Sequence, residues 1–482
     1  MPVIGVDSFP KEPAVAWKWK KDGAQVRKLT DPATGEVCAE IFDARVEDVD
    51  LAVKAAEKAF RGSWQKTIPA KRAEFLAAMA TKIDALKEKI AWADCWNMGK
   101  PLQSGRGEAG NGAGTFRYYA GLLGSAGGQV VPVAKDGFDF TVRVPFGVVV
   151  GIVPWNFPFP IACWKTAAAL AAGNCVILKP AQFTPWSALL LAEAAREAGL
   201  PEGVLQVLPG GGSELGDPLV THPGVRKVSF TGSTEIGRHI MKMAANDIKR
   251  VSLELGGKSP NVVFADADVD KAAAASPGAV FDNTGQDCCA RSRILVEESV
   301  ADRFVKGFLE TTQKLKVGDP KKDDTELGPL VHQKQLETTE SYVEAARKKG
   351  RKILCGGKRI GSKGFFYEPT LIVGCEKDDS WWREEIFGPV ASLRTFRTEE
   401  EAVQEANDSI YGLSGSLWTL GLDRALRVAL AMESGNLSVN SHSSVFTQAP
   451  FGGVKQSGLG RELGQAGLEG FSEPKNVFIG KP

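Results

Sequence analysis

Two adjacent cysteines, Cys288 and Cys289, close the segment Phe281-Asp282-Asn283-Thr284-Gly285-Gln286-Asp287. This segment follows a helical run and precedes an apolar one, so both thiols lie on a glycine-containing connection. A thiol there can be exposed and nucleophilic, although a free cysteine is more often buried and inert. Spacing alone does not choose between the two. Glu254, in Ser252-Leu253-Glu254-Leu255-Gly256-Gly257, has apolar neighbours and is followed by two glycines. That pattern places a carboxylate at a strand end entering a tight turn. Desolvation there raises its pKa and suits it to general-base work; a solvated glutamate on a strand face would read the same way. Asn156, in Pro154-Trp155-Asn156-Phe157-Pro158, can donate its amide to a developing oxyanion or simply form a turn. Lys179 follows the apolar run Cys175 to Leu178, at the strand end where open α/β sheets bind ligands. Gly232 and Ser233 precede a helical run, which fits a phosphate at a helix N-terminus or a plain serine N-cap. Gly256-Gly257-Lys258-Ser259 ends like a phosphate-binding loop, but Ser252 stands where that motif needs its first glycine.

These residues need a scaffold, and the hydrophobic pattern supplies one. Asp43 to Phe60 and Pro69 to Trp96 have helical apolar spacing. Gly121 to Gly137 is glycine-rich and ends the helical region, and Phe138 to Pro145 alternates like a strand. From Gly147 onward short apolar strands (148–153, 175–178, 204–208, 225–230) alternate with helices (160–170, 188–198, 215–222). That alternation implies parallel βαβ units in a doubly wound sheet. It restarts after Gly256, with strands at 261–264 and 292–296 and helices at 269–280 and 300–316, so a second α/β lobe follows. The tail from Phe471 to Pro482 reads as an edge strand that extends a neighbour's sheet.

Composition narrows the class. A chain of 482 residues exceeds one compact core. Lys+Arg number 59 against Asp+Glu 58, which gives no electrostatic case for nucleic acid or an anionic membrane. No apolar run reaches the ~18 residues of a membrane span, and the N-terminus lacks the pattern of a secretory signal. The eight cysteines are scattered, and none forms a Cys-x-x-Cys pair. That fits a reducing, cytoplasmic setting. Four histidines with no helix-face spacing argue against a metal site.

The motifs gain weight in combination. Pro-Trp-Asn-Phe-Pro at 154–158, Leu-Lys-Pro-Ala at 178–181, Phe-Thr-Gly-Ser-Thr at 230–234 and Leu-Glu-Leu-Gly-Gly-Lys at 253–258 occur in that order. Gly-Gln-Asp-Cys at 285–288, Glu-Ile-Phe-Gly-Pro at 385–389 and Pro-Phe-Gly-Gly at 450–453 complete the series. Over nearly its whole length the chain resembles the aldehyde dehydrogenase superfamily. The resemblance implies an α/β fold of two doubly wound, Rossmann-like lobes with a small β-arm for oligomerisation. Residues 1–125 and 146–256 would form the dinucleotide-binding domain, 257–470 the catalytic domain, and 126–145 with 471–482 the arm. It implies oxidation of a small aldehyde to its acid, with NAD (or NADP) as hydride acceptor, in a homo-oligomer, dimer or tetramer. Cys288 would be the nucleophile, Glu254 the base and Asn156 the oxyanion donor, with Glu462 and Lys165 as a proton relay. Ile152, Pro154, Trp155, Lys179, Gln182, Gly212, Gly232, Ser233, Glu385 and Phe387 would bind the cofactor. Asn111, Phe157, Trp164, Asp282, Asp287, Val445 and Phe451 would line the substrate pocket.

Two details refine this expectation. Gln182 stands where the family often has a glutamate that repels the 2′-phosphate of NADP; glutamine drops that charge and should weaken discrimination. The Gln-Asp-Cys sequence is similar to that of bacterial aminobutyraldehyde dehydrogenases, and Asp282 and Asp287 in an aromatic pocket would suit a cationic aldehyde. A broad-specificity aliphatic or aromatic aldehyde dehydrogenase is the alternative. A crystallin-like, non-enzymatic descendant should have lost Cys288, Glu254 or Asn156, and all three are present. A dehydrogenase that passes its thioester to coenzyme A would not need Glu254.

Overall fold

The computed structural model describes residues 3–16, 18–19, 25–443 and 445–481, apart from the side chains of 18 and 19. Met1, Pro2 and Pro482, on which the readings of the two termini partly rest, lie outside the described residues. Two sheets organise the chain. The eight-stranded sheet runs Gly458–Leu459, Arg250–Glu254, Val225–Thr231, Val148–Ile152, Cys175–Lys179, Leu205–Val207, Ala14–Val15, Lys18–Trp19. Its five central strands are parallel, and antiparallel partners close both sides. The seven-stranded sheet runs Lys352–Cys355, Thr370–Val373, Val390–Phe396, Arg293–Glu297, Pro260–Val263, Ser414–Trp418, Asn436–Val439. All its pairings are parallel except that of Lys352–Cys355. This is the expected α/β fold with two Rossmann-like sheets. Val148–Ile152 and most of Cys175–Lys179 are continuous apolar runs, as expected where helices cover both faces of a parallel sheet. At Gly458–Leu459 the chain returns to the first sheet, inside the stretch assigned above to the second lobe.

Four local features differ from the sequence reading. The helical run expected over Pro69 to Trp96 breaks at Leu86 into Pro69–Ala85 and Lys87–Met98. A helix at Leu102–Leu122, not foreseen, follows it. Its glycines cost up to ~1 kcal/mol each in helix propensity and hide the apolar period. Close packing makes two of them, Gly105 and Gly112, necessary. A Cβ on Gly112 would lie 2.5 Å from Phe159, and one on Gly105 would lie 3.0 Å from the Ala91 Cα. A two-stranded ribbon, Gln25–Asp31 with Glu36–Asp43, was also missed. The tail strand Ser472–Gly480 pairs antiparallel with Gly137–Pro145 of its own chain, so the expected edge strand exists with an internal partner. No helix among the described residues is long and apolar enough to cross a membrane.

Candidate active site

The order of the first sheet fixes where a ligand can sit. From the central strand Val148–Ile152 the chain steps outward to Cys175–Lys179 and Leu205–Val207. It then crosses to Val225–Thr231 on the opposite side. That reversal is a topological switch point, and its crevice opens at the carboxyl ends of the strands. Residues 154–156 and 231–233 leave the sheet there. The amino ends of the second sheet face them, carrying Cys288 ahead of Arg293–Glu297 and Glu385 with Phe387 ahead of Val390–Phe396. The result is a cavity of about 240 Å³ lined by Pro154, Trp155, Asn156, Gly232, Ser233, Glu254, Cys288, Gln335, Glu385 and Phe387 among others. Strand ends from both sheets thus bring together the expected nucleophile, base and oxyanion donor.

The loop that carries Cys288, the expected nucleophile, is strained and braced. Asn283, Thr284 and Gly285 take three successive left-handed conformations (φ 52°, 60° and 70°), which cost roughly 1–3 kcal/mol for each non-glycine residue. Hydrogen bonds hold them: Thr284 Oγ1 donates to Gly328 O (2.9 Å), and the Asn283 amide donates to Asn156 O (2.9 Å) and Gln286 O (3.2 Å). The Gln286 carbonyl also accepts from Asn156 Nδ2 at 2.9 Å. An amide has two N–H donors, so one of the two is engaged there. No intramolecular hydrogen bond among the described residues takes up the backbone N–H of Cys288. Gly257 lets the neighbouring loop approach, because a Cβ there would lie 2.3 Å from Cys288 O. Cys288 is half-buried and Cys289 is buried. A hydrogen bond with Cys289, then burial, holds the Cys288 thiol well above its usual range.

Glu254 is 4 % exposed, and neither carboxylate oxygen has a hydrogen-bond partner. Burial first, and the neighbouring Glu462 second, push its carboxyl well above the usual range, opposed by Lys165 and Arg461. Lys165 and Glu462 form a buried ion pair. The hydroxyl of Ser229 accepts from Lys165 at 3.0 Å and donates to Glu462 at 3.0 Å. A buried carboxylate without partners is costly in a purely structural setting, and a water can occupy such a site.

The residues expected on the cofactor side fall into three groups. Pro154, Trp155, Gly232, Ser233, Glu385 and Phe387 line the cavity just described. Ser233 caps the helix Thr234–Ala245, accepting from Ile236 N. The Gly232 N–H is already donated to Glu254 O at 3.0 Å. Glu385 accepts from Gly257 N at 2.9 Å, and burial pushes its carboxyl up to about 7. Phe387 has a left-handed backbone (φ 59°), and Gln335 holds it by donating to Phe387 O at 2.9 Å. Lys179 lies beside the loop leading to Gly212, the first residue of Gly212–Thr221, and donates to Gly210 O at 3.3 Å. Burial and then Arg27 lower its pKa to about 8. Ile152 ends its strand beside Lys179. Gln182 lines a separate cavity of about 350 Å³ with Arg27, Phe183 and His332. Its carbonyl accepts from Arg27, which also pairs with Asp43.

The expected substrate wall is only partly assembled. Trp164 packs edge-on against Phe451 with centroids 5.4 Å apart, in one cluster with Cys288, Cys289, Leu413 and Leu463. Phe157 lies beneath the Lys100 ammonium. The Asp287 carboxylate lies within 4.8 Å of both thiols, and its Oδ1 accepts from Cys289 N at 2.8 Å. Asp282 is exposed, and its Oδ1 accepts from Asn283 N at 2.9 Å. Asn111 and Val445 are also exposed.

Sequence reasoning passed over several residues in this network. Lys100 and Glu108 lie in or beside the glycine-rich helix that was not recognised. Ser229 looked like one more strand residue. Gln335 and Arg27 belong to segments given no role. The tripeptide Gly99-Lys100-Pro101, a charge between two chain-turning residues, was the one visible signal.

Comparison with known proteins agrees with this geometry. Residues 19–477 match the model of the aldehyde dehydrogenase family. Retinal dehydrogenase 2 of Homo sapiens is 42 % identical over 470 residues, covering 97 % of this chain and 90 % of the relative. The NAD+ complex of an aldehyde dehydrogenase from Bacillus cereus superposes with a TM-score of 0.97 at 38 % identity, covering 99 % of this chain and 98 % of that one. Betaine aldehyde dehydrogenase from Staphylococcus aureus, also with NAD+, gives 0.95 at 37 % identity, covering 98 % and 95 %. With the thiol, carboxylate and amide meeting between two Rossmann-like sheets, this chain belongs to the aldehyde dehydrogenase family.

Proposed function

We propose that the protein oxidises an aldehyde to its carboxylic acid through a covalent adduct on Cys288, with NAD as hydride acceptor. The observation that carries this reading is the convergence of Cys288, Glu254 and Asn156 on one cavity. The Cys288 thiol, half-buried at the cavity, loses its proton to water with help from Glu254, and the thiolate adds to the aldehyde carbon. The oxygen of the resulting thiohemiacetal takes up negative charge, stabilised by the Asn156 amide and the Cys288 N–H. NAD, when bound, accepts the hydride that leaves this carbon, and a thioester remains on Cys288. Glu254 then takes a proton from water as its oxygen attacks the thioester. The C–S bond breaks, the acid departs, and the Lys165–Ser229–Glu462 network receives the proton. Purified protein with aldehyde and NAD should yield NADH and acid in equal amounts; NADH without acid would sink the reading.

Pro154, Trp155, Gly232, Ser233, Glu385 and Phe387 would hold the nicotinamide and pyrophosphate half, and Ile152, Lys179, Gln182 and Gly212 the adenosine half. The NAD+ complexes of the two bacterial relatives support NAD. Around Gln182 lie two cations, Arg27 and Lys179, and one carboxylate, Asp43. That balance tolerates a 2′-phosphate, so NADP should also serve. Gln182→Glu restores a negative charge there. Like charges some 4 Å apart repel by about 1 kcal/mol in water and about 4 at an effective dielectric of 20. The variant should therefore raise the ratio of kcat/KM for NAD over NADP by roughly 10-fold or more. An unchanged ratio would remove Gln182 from the ribose site.

For the substrate, the Trp164–Phe451 wall beside Cys288 favours an aldehyde with an apolar body. A cationic aminoaldehyde is the second reading, supported by Asp287 beside the thiols and by the likeness to betaine aldehyde dehydrogenase. Both aspartates already bind backbone N–H groups, which weighs toward the first. Asp287→Ala is expected to lower kcat/KM for 4-aminobutanal and for butanal by similar factors. A loss roughly 10-fold greater for the amine, the equivalent of about 1.4 kcal/mol, would establish the second reading.

We further propose a homo-oligomer, dimer or tetramer, assembled through the arm of 126–145 and 471–482. Its ribbon leaves Phe138, Val142, Phe478 and Ile479 exposed, which supports burial against another copy. The division into a dinucleotide-binding and a catalytic domain follows the two sheets, with 458–470 going to the first. Eight free cysteines support a cytoplasmic setting.

A further inference from the structure

Behind the oxyanion donor lies a buried ion pair that this chemistry leaves unused. Lys100 sits between the helices Lys87–Met98 and Leu102–Leu122 and is 1 % exposed. Its ammonium pairs with Glu108, whose side chain is 13 % exposed. It also donates to the backbone oxygen of Asn156 at 2.9 Å and lies 4.2 Å over the Phe157 ring. Among the described residues the Asn156 oxygen has one other donor, the side chain of Asn283, which also bonds Gln286 O. That same Gln286 carbonyl receives the Asn156 amide. The contacts therefore close a ring through the main chain of Asn156, its side chain and the nucleophile loop. Lys100 grips this ring from outside, at the peptide oxygen of the oxyanion donor itself.

A buried ion pair is a poor device for stability, because desolvation offsets most of the attraction and apolar residues often do as well. Its contact with one particular peptide oxygen is the feature that stability does not explain. We infer that Lys100 and Glu108 are positioning residues for the oxyanion donor, with the ion pair anchoring the Asn156 peptide and so aiming its side-chain amide at the Cys288 adduct. The inference rests on the proposed role of Asn156. A shift of about 1 Å in such a donor can cost 10²-fold in rate, so the anchor need not touch substrate to matter.

Charge on the pair gives the inference a signature in pH. The groups facing Glu108 are Lys100, Asp94 on the preceding helix and Asp282 at the head of the nucleophile loop. Burial, with the two aspartates, outweighs Lys100 and pushes the Glu108 carboxyl up to about 7. The pair is complete above that pH, and Lys100 loses its counter-ion as pH falls through it. Hydride transfer should therefore weaken on the acid side.

The test uses the full-length enzyme loaded with NAD and follows the pre-steady-state burst of NADH across neutral pH. Three variants are compared with wild type: Glu108→Gln, the charge-free double Lys100→Met/Glu108→Gln, and Asn156→Ala. Glu108→Gln should slow the burst by roughly 10-fold above neutrality, leave the aldehyde KM within about two-fold, and fall less far behind wild type as pH drops through about 7. The double variant should lose at least as much while binding NAD as wild type does. Burst rates near wild type in both Glu108 variants would overturn the inference. So would a slowed Glu108→Gln whose ratio to wild type stays the same at every pH, since that points to a structural role alone. A burst near wild type in Asn156→Ala would instead remove the oxyanion assignment on which the inference rests.

Discussion

Cys288→Ala should abolish NADH formation from any aldehyde, a loss on the order of 10⁴- to 10⁶-fold, as when other covalent nucleophiles are removed. Cys289→Ala should keep most of the activity. The two thiols share one cluster but differ in exposure. Cys288 is half-buried and lines the cavity with Glu254 and Asn156. Cys289 is buried in an apolar cluster with Leu413, Phe451 and Leu463, and its N–H is tied to Asp287. The hydrogen bond between the two sulfurs is the largest factor holding the Cys288 thiol above its usual range. Removing Cys289 should therefore lower the pH at which Cys288 ionises. Alkylation of Cys288 by iodoacetamide, followed against pH, should shift its midpoint down in Cys289→Ala. Mass spectrometry of enzyme quenched with aldehyde and NAD should place the acyl group on Cys288, and an adduct on Cys289 would reverse the assignment.

What the sequence revealed depended on whether a residue's role was local. Glu254 and Lys179 end apolar strands, and strand ends are legible from period and composition. The motif order then placed Asn156 and Cys288 in one family, and the fold brought them to one cavity. Roles that depend on packing across the chain were hidden. The helix Leu102–Leu122 owes Gly112 and Gly105 to the close approach of Phe159 and Ala91, which a helical pattern cannot display, so Glu108 went unnoticed. Lys100 reads as a loop lysine until the fold brings Asn156 O within 2.9 Å of it. Arg27 lies on a short ribbon without a strong pattern, yet it reaches Gln182 across 155 residues. The aspartates illustrate the opposite error. Asp282 and Asp287 looked like free pocket charges, but each accepts from a nearby backbone N–H. Local capping is a frequent use of aspartate.

Glu254→Gln should separate the two halves of the reaction. Once the Cys288 thiolate has formed, adduct formation and hydride loss need no further base, whereas thioester hydrolysis needs an activated water. The variant should therefore show a rapid burst of one NADH per active site, then turnover slowed by roughly 10²- to 10⁴-fold. Glutamine matches the shape of glutamate, so the fold should survive. The native carboxylate is buried with neither oxygen partnered, so its neutral replacement should melt no lower than wild type. The pH profile gives a second check. Burial and Glu462 hold the Glu254 carboxyl well above the usual range, so at low pH it carries a proton and cannot act as a base. Wild-type turnover should rise with pH along a limb displaced upward from ordinary carboxylates, and the variant should lack that limb. If the burst itself disappears, Glu254 chiefly deprotonates Cys288 rather than water. If steady-state turnover is unchanged, the two unpartnered oxygens have no part in the chemistry, and the water that cleaves the thioester must be activated elsewhere. The Lys165–Ser229–Glu462 network is the nearest alternative, and Glu462→Gln would then show the burst expected here of Glu254→Gln.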